Sequence, residues 1–202
     1  MTSGPPGDLA GGRVPFLWLC GPTGVGKSAV GYEIFSQVYR SGIKAAYVDF
    51  DQVGLCYPAP PDDRGNHRVK AQNLGAVWPV YRAAGARCLI AAGGVRDRAT
   101  ADLYAAAVPD TATLICRLCA DGDRLTERVF RRGLGRGPVI PGPPPSRSKR
   151  RLAAQAADAR REAAELDLTG FADLCVDAAD RPVRELARLV RALAGDWPGL
   201  DS

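Results

Sequence analysis

Gly21-Pro22-Thr23-Gly24-Val25-Gly26-Lys27-Ser28 stands between a short apolar run, Val14–Cys20, and a segment of helical apolar spacing over 26–40. It matches G-x-x-x-x-G-K-[ST] in full, and a strand before it and a helix after it are the context that the pattern requires. Each position has a physical task. The glycines let the backbone curl until successive N–H groups point inward at phosphate oxygens. The helix N-terminus adds its partial positive charge. Lys27 is placed to reach the β- and γ-phosphates, and the Ser28 hydroxyl to ligate magnesium. The stretch through Ala29 therefore predicts binding of a nucleoside triphosphate, with ATP and Mg2+ as the expected pair.

Outward from this loop, strands and helices alternate. The helix over 26–40 carries an apolar stripe of Val30, Ile34, Phe35 and Val38 and stops at Ser41-Gly42. Residues 44–50 read as a second strand ending in Asp49-Phe50-Asp51, and the Pro-rich stretch 54–66 as a loop. A helix over 68–84, with Leu74, Val77, Trp78 and Tyr81 on one side, leads to a third strand over 87–92 that closes in Gly93-Gly94. A short helix over 98–107, a strand over 111–118 and a helix capped by Asp121 and running to Gly133 follow. Helices over 152–168 and from Pro182 to Gly195 enclose a fifth strand over 171–176. Such alternation predicts a three-layer α/β/α sandwich on a five-stranded parallel sheet with right-handed crossovers. Ligands in such sheets sit at the carboxyl ends of the strands. The loop at 21–28, Asp49 and Asp51, and Gly93-Gly94 all fall there.

The expected organisation is a disordered arm at 1–12, one domain over 13–195 and a tail at 196–202. Within the domain the Gly- and Pro-rich stretch 133–151 breaks the alternation. With 202 residues, 46% apolar and 24% charged, the composition is that of a globular domain with a core of its own. No apolar run approaches the ~18–20 residues that span a bilayer, and the N-terminus lacks the basic and apolar regions of a signal peptide. A cytoplasmic protein without a membrane partner is expected. The net charge of +5 comes from an Arg-rich chain, which suits anionic ligands.

The six cysteines, mostly inside apolar runs, read as buried reduced thiols. Cys116 and Cys119 have metal-ligand spacing, but residues three apart in a strand point to opposite faces. With His67 as the single histidine, no Ser-His-Asp or Cys-His arrangement is offered. His67 itself reads as a solvent-exposed residue at a helix start. Trp18, Trp78 and Trp197 read as packing residues.

On the phosphate loop and on several shorter matches in the right order, the chain from Phe16 to Leu193 resembles the small P-loop kinases. That group includes shikimate, gluconate, adenylylsulfate and nucleoside monophosphate kinases. The resemblance implies the P-loop nucleoside triphosphate hydrolase/kinase fold and transfer of the γ-phosphoryl group to a small-molecule acceptor. It implies that Asp51 is the base or substrate anchor and Asp49 the metal-side helper beside Ser28, or the reverse. A carboxylate pair at that place can order a metal's water shell and orient the nucleophile. Arg128-Val-Phe-Arg131-Arg132 resembles the arginine motif that opens the lid, implying that Arg128 covers the base and Arg132 reaches the transferred group. The stretch 133–151 takes the lid position. Gly94 and Arg96 fall where the acceptor is bound, and Arg181 and Pro182 where the adenine is held. Arg64 and Arg68 flank His67 and are candidates for the acceptor pocket by proximity.

Ala92 stands where monophosphate kinases carry an Asp, which favours a non-nucleotide acceptor. The chain has no Asn-Lys-x-Asp or Thr-Lys-x-Asp, and the third strand does not end in an acid. Those absences speak against a signalling GTPase and a mechanochemical ATPase. A nucleotide or polynucleotide kinase is the alternative within the class, with nucleic acid a further outlet for the basic charge. A non-catalytic ATP sensor is the alternative outside it. Either a monomer or a homodimer is compatible with the sequence.

Overall fold

The computed structural model describes residues 12–136 and 148–199. Five strands, β1 (Val14–Cys20), β2 (Ala45–Asp49), β3 (Cys88–Ala92), β4 (Thr111–Cys119) and β5 (Leu174–Asp177), form one parallel sheet in the order β2-β3-β1-β4-β5. Seven helices among the described residues complete the three layers: α1 (Lys27–Arg40), α2 (Phe50–Val53), α3 (His67–Ala83), α4 (Arg98–Ala107), α5 (Gly122–Gly133), α6 (Lys149–Thr169) and α7 (Val183–Leu193). The expected α/β/α sandwich is present.

β1 shows why the sheet is central. Successive side chains of a strand point to opposite faces, and both faces of β1 are covered. Phe16 and Trp18 join Phe50, Leu74, Trp78 and Tyr104 in one apolar layer, built with α3 and α4. Leu17 and Leu19 join Val30, Ile34, Val38 and Val190 in the other, where α1 packs on α7. All four of these β1 side chains are fully buried. A third, small cluster of Val129, Leu152 and Ala156 joins α5 to α6.

The structure departs from the sequence reading in a few places. A short helix, α2, starts directly after β2, because the Asp49 carboxylate accepts the amide of Asp51 at 2.9 Å and turns the chain. β5 begins at Leu174, while Phe171 is buried ahead of the strand. Trp18 and Trp78 pack as expected, and Trp197, in the segment read as a tail, is also buried against the α1–α7 layer. Residues 1–11 of the arm expected at 1–12, residues 137–147 of the expected lid and residues 200–202 of the expected tail lie outside the described residues.

The cysteine reading needs one correction. Cys119 and Cys175 are joined in a disulfide. Cys175 pairs in register with Arg117, so Cys119, two residues further along β4, shares its face, and the two Cα atoms lie 6.7 Å apart. The separation of 56 residues concealed this neighbourhood. Cys20, Cys88 and Cys116 are buried free thiols as expected, and burial pushes each up to about 12. Cys56 is free but exposed. Among the described residues no cluster of His, Cys, Asp or Glu is arranged to hold a metal ion by itself.

Close packing at the sheet's carboxyl edge depends on Gly93. A Cβ there would lie 2.7 Å from Cβ of Phe50, the first residue of α2. The carbonyl of Gly93 also accepts the Trp18 indole N–H at 3.1 Å. Gly93→Ala is therefore expected to cost about 1–3 kcal/mol through overpacking. Urea denaturation checks this, and an unchanged midpoint would show that α2 can yield.

Candidate nucleotide and phosphoryl-transfer site

The loop between β1 and α1 owes its curl to positive backbone angles: φ is 135° at Gly21, 84° at Gly24 and 109° at Gly26. A side chain at Gly21 would in addition collide with the carbonyl of Leu118 on β4. The curl ends at the free N-terminus of α1, where Lys27 and Ser28 begin the helix. The Lys27 ammonium lies across the loop and donates to the carbonyls of Gly21 and Pro22, each at 3.0 Å.

A cavity of 360 Å³ opens over this loop. Thr23, Gly24, Val25, Gly26, Lys27, Ser28 and Ala29 form its floor. Arg128, Arg131 and Arg132 of α5, with Arg136, line one wall, and Ala178, Arg181, Val183 and Leu186 another. Asp51 closes one end. The structure thus brings together the loop, Asp51, Arg128, Arg132 and Arg181, all singled out from the sequence. Arg131 and Arg136 add to a concentration of guanidinium groups that suits a polyanion.

Arg128 has a more definite setting than the sequence implied. Its guanidinium donates to the carbonyl of Val25 at 2.8 Å and to that of Ala178 at 2.7 Å. It therefore clamps the phosphate loop to the β5–α7 connection while lining the cavity. Pro182 is the N-cap of α7 just outside the lining, and its carbonyl accepts the amides of Glu185 and Leu186. Arg181 follows Asp180, which pairs with Arg124 at 2.7 Å.

Asp49 and Asp51 lie at the end of β2, one strand removed from β1 because β3 intervenes. Asp49 is buried, and one carboxylate oxygen caps α2. The Tyr47 hydroxyl lies 3.5 Å from the other oxygen and donates to the Ser28 carbonyl at 3.3 Å. One phenol thus joins the Asp49 carboxylate to the start of α1. Burial, followed by the Asp49 charge, raises the Tyr47 phenol well above its ordinary value, so it stays protonated and can donate. Ser28 and Asp49 are the residues that could hold a magnesium ion from the protein side, with phosphate oxygens and water as its other ligands; among the described residues no group of His, Cys, Asp or Glu would hold the ion by itself.

Asp51 is more exposed, and its Oδ1 accepts from Lys70 Nζ at 3.0 Å. The Lys70 side chain is only 7% exposed and passes so close to Gly54 that a Cβ at that position would collide with it. Sequence reasoning missed Lys70. Its signal was a charge four residues before Leu74, on the apolar stripe of α3. Tyr104 and His67 complete this side. His67 Nδ1 and the Tyr104 hydroxyl are 2.9 Å apart, and His67 is half-buried, which corrects the reading of it as solvent-exposed.

Burial first, then the Lys70 and Arg96 charges, lower the His67 pKa below its ordinary 6.5, against opposing pulls from Asp63 and Asp97. A base depressed in the folded state binds its proton more readily when unfolded, so its contribution to stability is present above pH ~6.5 and is lost as pH falls through the folded value. The native chain is expected to lose more melting temperature between pH 7.5 and pH 5.5 than His67→Gln does. Equal losses in the two melting curves would remove His67 as the cause.

The remaining acceptor candidates are dispersed. Arg96 is exposed beside Gly94 at the end of β3, within electrostatic reach of His67. Arg64 is exposed on the loop before α3. Arg68 is not aimed at the site: its guanidinium makes two 2.9 Å bonds to Asp62. None of Gly94, Arg96, Arg64 and Arg68 lines the cavity. One contact had no sequence signal: Glu162 of α6 accepts from Thr23 at the tip of the phosphate loop.

The sheet order, the loop and the cavity together define the P-loop kinase-like fold, as solved structures bear out. The chain resembles the tunicamycin resistance protein of Deinococcus radiodurans at 19% identity, covering 91% of this chain and 96% of that one with a TM-score of 0.59. It resembles a gluconokinase from Sinorhizobium meliloti 1021 at 19% identity, with coverages of 92% and 99% and a TM-score of 0.54. The APS kinase of Mycobacterium tuberculosis, solved with AMPPNP and APS, is similar at 19% identity, 92% and 99% coverage and a TM-score of 0.55. No protein-family model matches the chain, and no curated protein matches its sequence.

Proposed function

We propose that the chain is an ATP-dependent small-molecule kinase that transfers the γ-phosphoryl group to a hydroxyl or phosphate acceptor. The observation that carries this reading is the shared cavity: one cleft is lined by the phosphate loop, the α5 arginines and Asp51. A nucleotide laid along the loop would have its base near Ala178 and Arg181 and its terminal phosphate toward Asp51. The neighbouring folds support the reading, since two of them bear the names of kinases and one of these was solved in complex with AMPPNP and APS.

In this reading the chain contributes position and charge, which account for most of phosphoryl-transfer catalysis. The loop amides and Lys27 hold the phosphates. Ser28 and Asp49 would hold magnesium beside the phosphates, where it would supply charge neutralisation. Arg132 lies over the transferred group, and Arg128 keeps the base-side wall against the loop. Asp51, oriented by Lys70, accepts the hydrogen bond of the acceptor hydroxyl and takes its proton as the new P–O bond forms and the bond from the γ-phosphorus to the bridging oxygen breaks, with ADP as the leaving group. The acceptor would lie among Asp51, His67 and Arg96, outside the cavity's nucleotide end.

The test is calorimetric titration with magnesium–ATP, followed by an acceptor library read by ADP release. Micromolar ATP binding and release with one acceptor class are expected. ATP binding with no acceptor in the library, and no effect of Asp51→Asn on any behaviour, would favour a nucleotide sensor. Salt-sensitive binding of oligonucleotide 5′ ends would favour a polynucleotide kinase.

A further inference from the structure

Glu162 lies on α6, 139 residues from Thr23, yet its Oε2 accepts both the Thr23 amide at 2.9 Å and the Thr23 hydroxyl at 3.1 Å. Its other oxygen faces the end of β3, where a Cβ built on Gly94 would lie 3.7 Å away. The contact is anchored from below. Arg117 of β4, its side chain only 9% exposed, donates from Nη2 to the Ala163 carbonyl at 3.2 Å and to Asp167 at 2.6 Å. Those partners are one and five residues beyond Glu162, so the turn of α6 that carries the carboxylate is fixed to the sheet.

The position of this carboxylate has a chemical consequence. The inward N–H groups of such a loop are donors for phosphate oxygens. Glu162 occupies the donor at Thr23, and its other carboxylate oxygen reaches toward Gly94 at the end of β3. The Lys27 ammonium is engaged with the carbonyls of Gly21 and Pro22, so it is not Glu162's partner. A carboxylate and a terminal phosphate oxygen are both anionic acceptors, and one N–H cannot serve both without like charges in contact. A diphosphate seated on the amides from Gly24 to Ser28 at the start of α1 does not meet this competition; a third phosphate, extending toward the acceptor side, does.

We propose that Glu162 is a specificity-determining residue of the phosphate site: a built-in anion that holds Thr23 and that a nucleoside triphosphate, but not a diphosphate, must displace. This rests on the nucleotide-binding reading of the loop. Through the anchored turn, α6 senses whether the terminal phosphate is present, and product diphosphate is bound without opposition from Glu162.

The experiment compares magnesium–ADP and magnesium–AMPPNP titrations of the native chain, Glu162→Gln and Glu162→Ala at one ionic strength. Both variants are expected to bind AMPPNP more tightly by about five- to twentyfold, the range of one charge-assisted hydrogen bond at a half-exposed site, with ADP affinity held within about twofold. Melting curves identify which variant is folded, and either folded variant decides the matter. Equal shifts for both nucleotides, or no shift, would overturn the proposal. Weaker AMPPNP binding alone would also overturn it and make Glu162 a helper of the metal or acceptor. If the native chain binds both nucleotides and their affinity ratio is unmoved, this inference alone falls. If it binds neither, the reading of the loop falls with it.

Discussion

Lys27→Ala is expected to abolish phosphate transfer and to weaken magnesium–ATP binding by at least about a hundredfold, the loss of roughly 2.7 kcal/mol. The ammonium is the one lysine charge among the described residues that line the cavity, and among those described its hydrogen bonds go to two carbonyls of its own loop. Its removal thus leaves no distant buried partner unsatisfied, and the fold should survive. The comparison is a titration of native and variant protein, with circular dichroism to confirm the fold. Undiminished affinity would mean that the loop is not a phosphate site, despite its backbone. Ser28→Ala should act in the same direction through the magnesium rather than the phosphate, and should lose turnover as well.

Asp51→Asn should show the opposite division: ATP affinity within about threefold of native, and phosphate transfer lower by about 10²–10⁴, the usual worth of a positioned base. Asparagine is preferable to alanine because its carbonyl can still accept from Lys70, whose side chain is too deeply buried to lose this partner without cost. A single-turnover assay with the identified acceptor separates binding from transfer. Native turnover in Asp51→Asn would pass the role to Asp49 or deny the site a base. The structure argues against exchanging the two aspartates, because Asp49 already caps α2 and lies against the Tyr47 hydroxyl, whereas Asp51 faces the cavity.

The phosphate loop was legible in the sequence because its conformation is local. Three glycines at fixed offsets, a preceding apolar run and a following helical stripe specify backbone angles and amide directions within one continuous segment. β1 was equally plain, since a strand buried on both faces reads as a continuous apolar run. Arg128 and Arg132 could be placed on α5 by spacing and resemblance. That Arg128 donates to the carbonyls of Val25 and Ala178 could not be foreseen, because those partners come from the β1–α1 loop and the β5–α7 connection, distant along the chain.

What the amino-acid sequence alone determined is the chemistry that short-range geometry encodes: the alternation of strands and helices, the curled loop, the carboxylates at the end of β2. The order β2-β3-β1-β4-β5, the Cys119–Cys175 bond, the Lys70–Asp51 pair and the reach of Glu162 to Thr23 were decided by the tertiary structure. Each joins residues whose distance along the chain says nothing of their distance in space. They meet only after β3 slots between β1 and β2 and α6 packs against its neighbours, driven by burial of the apolar faces that form the two core layers.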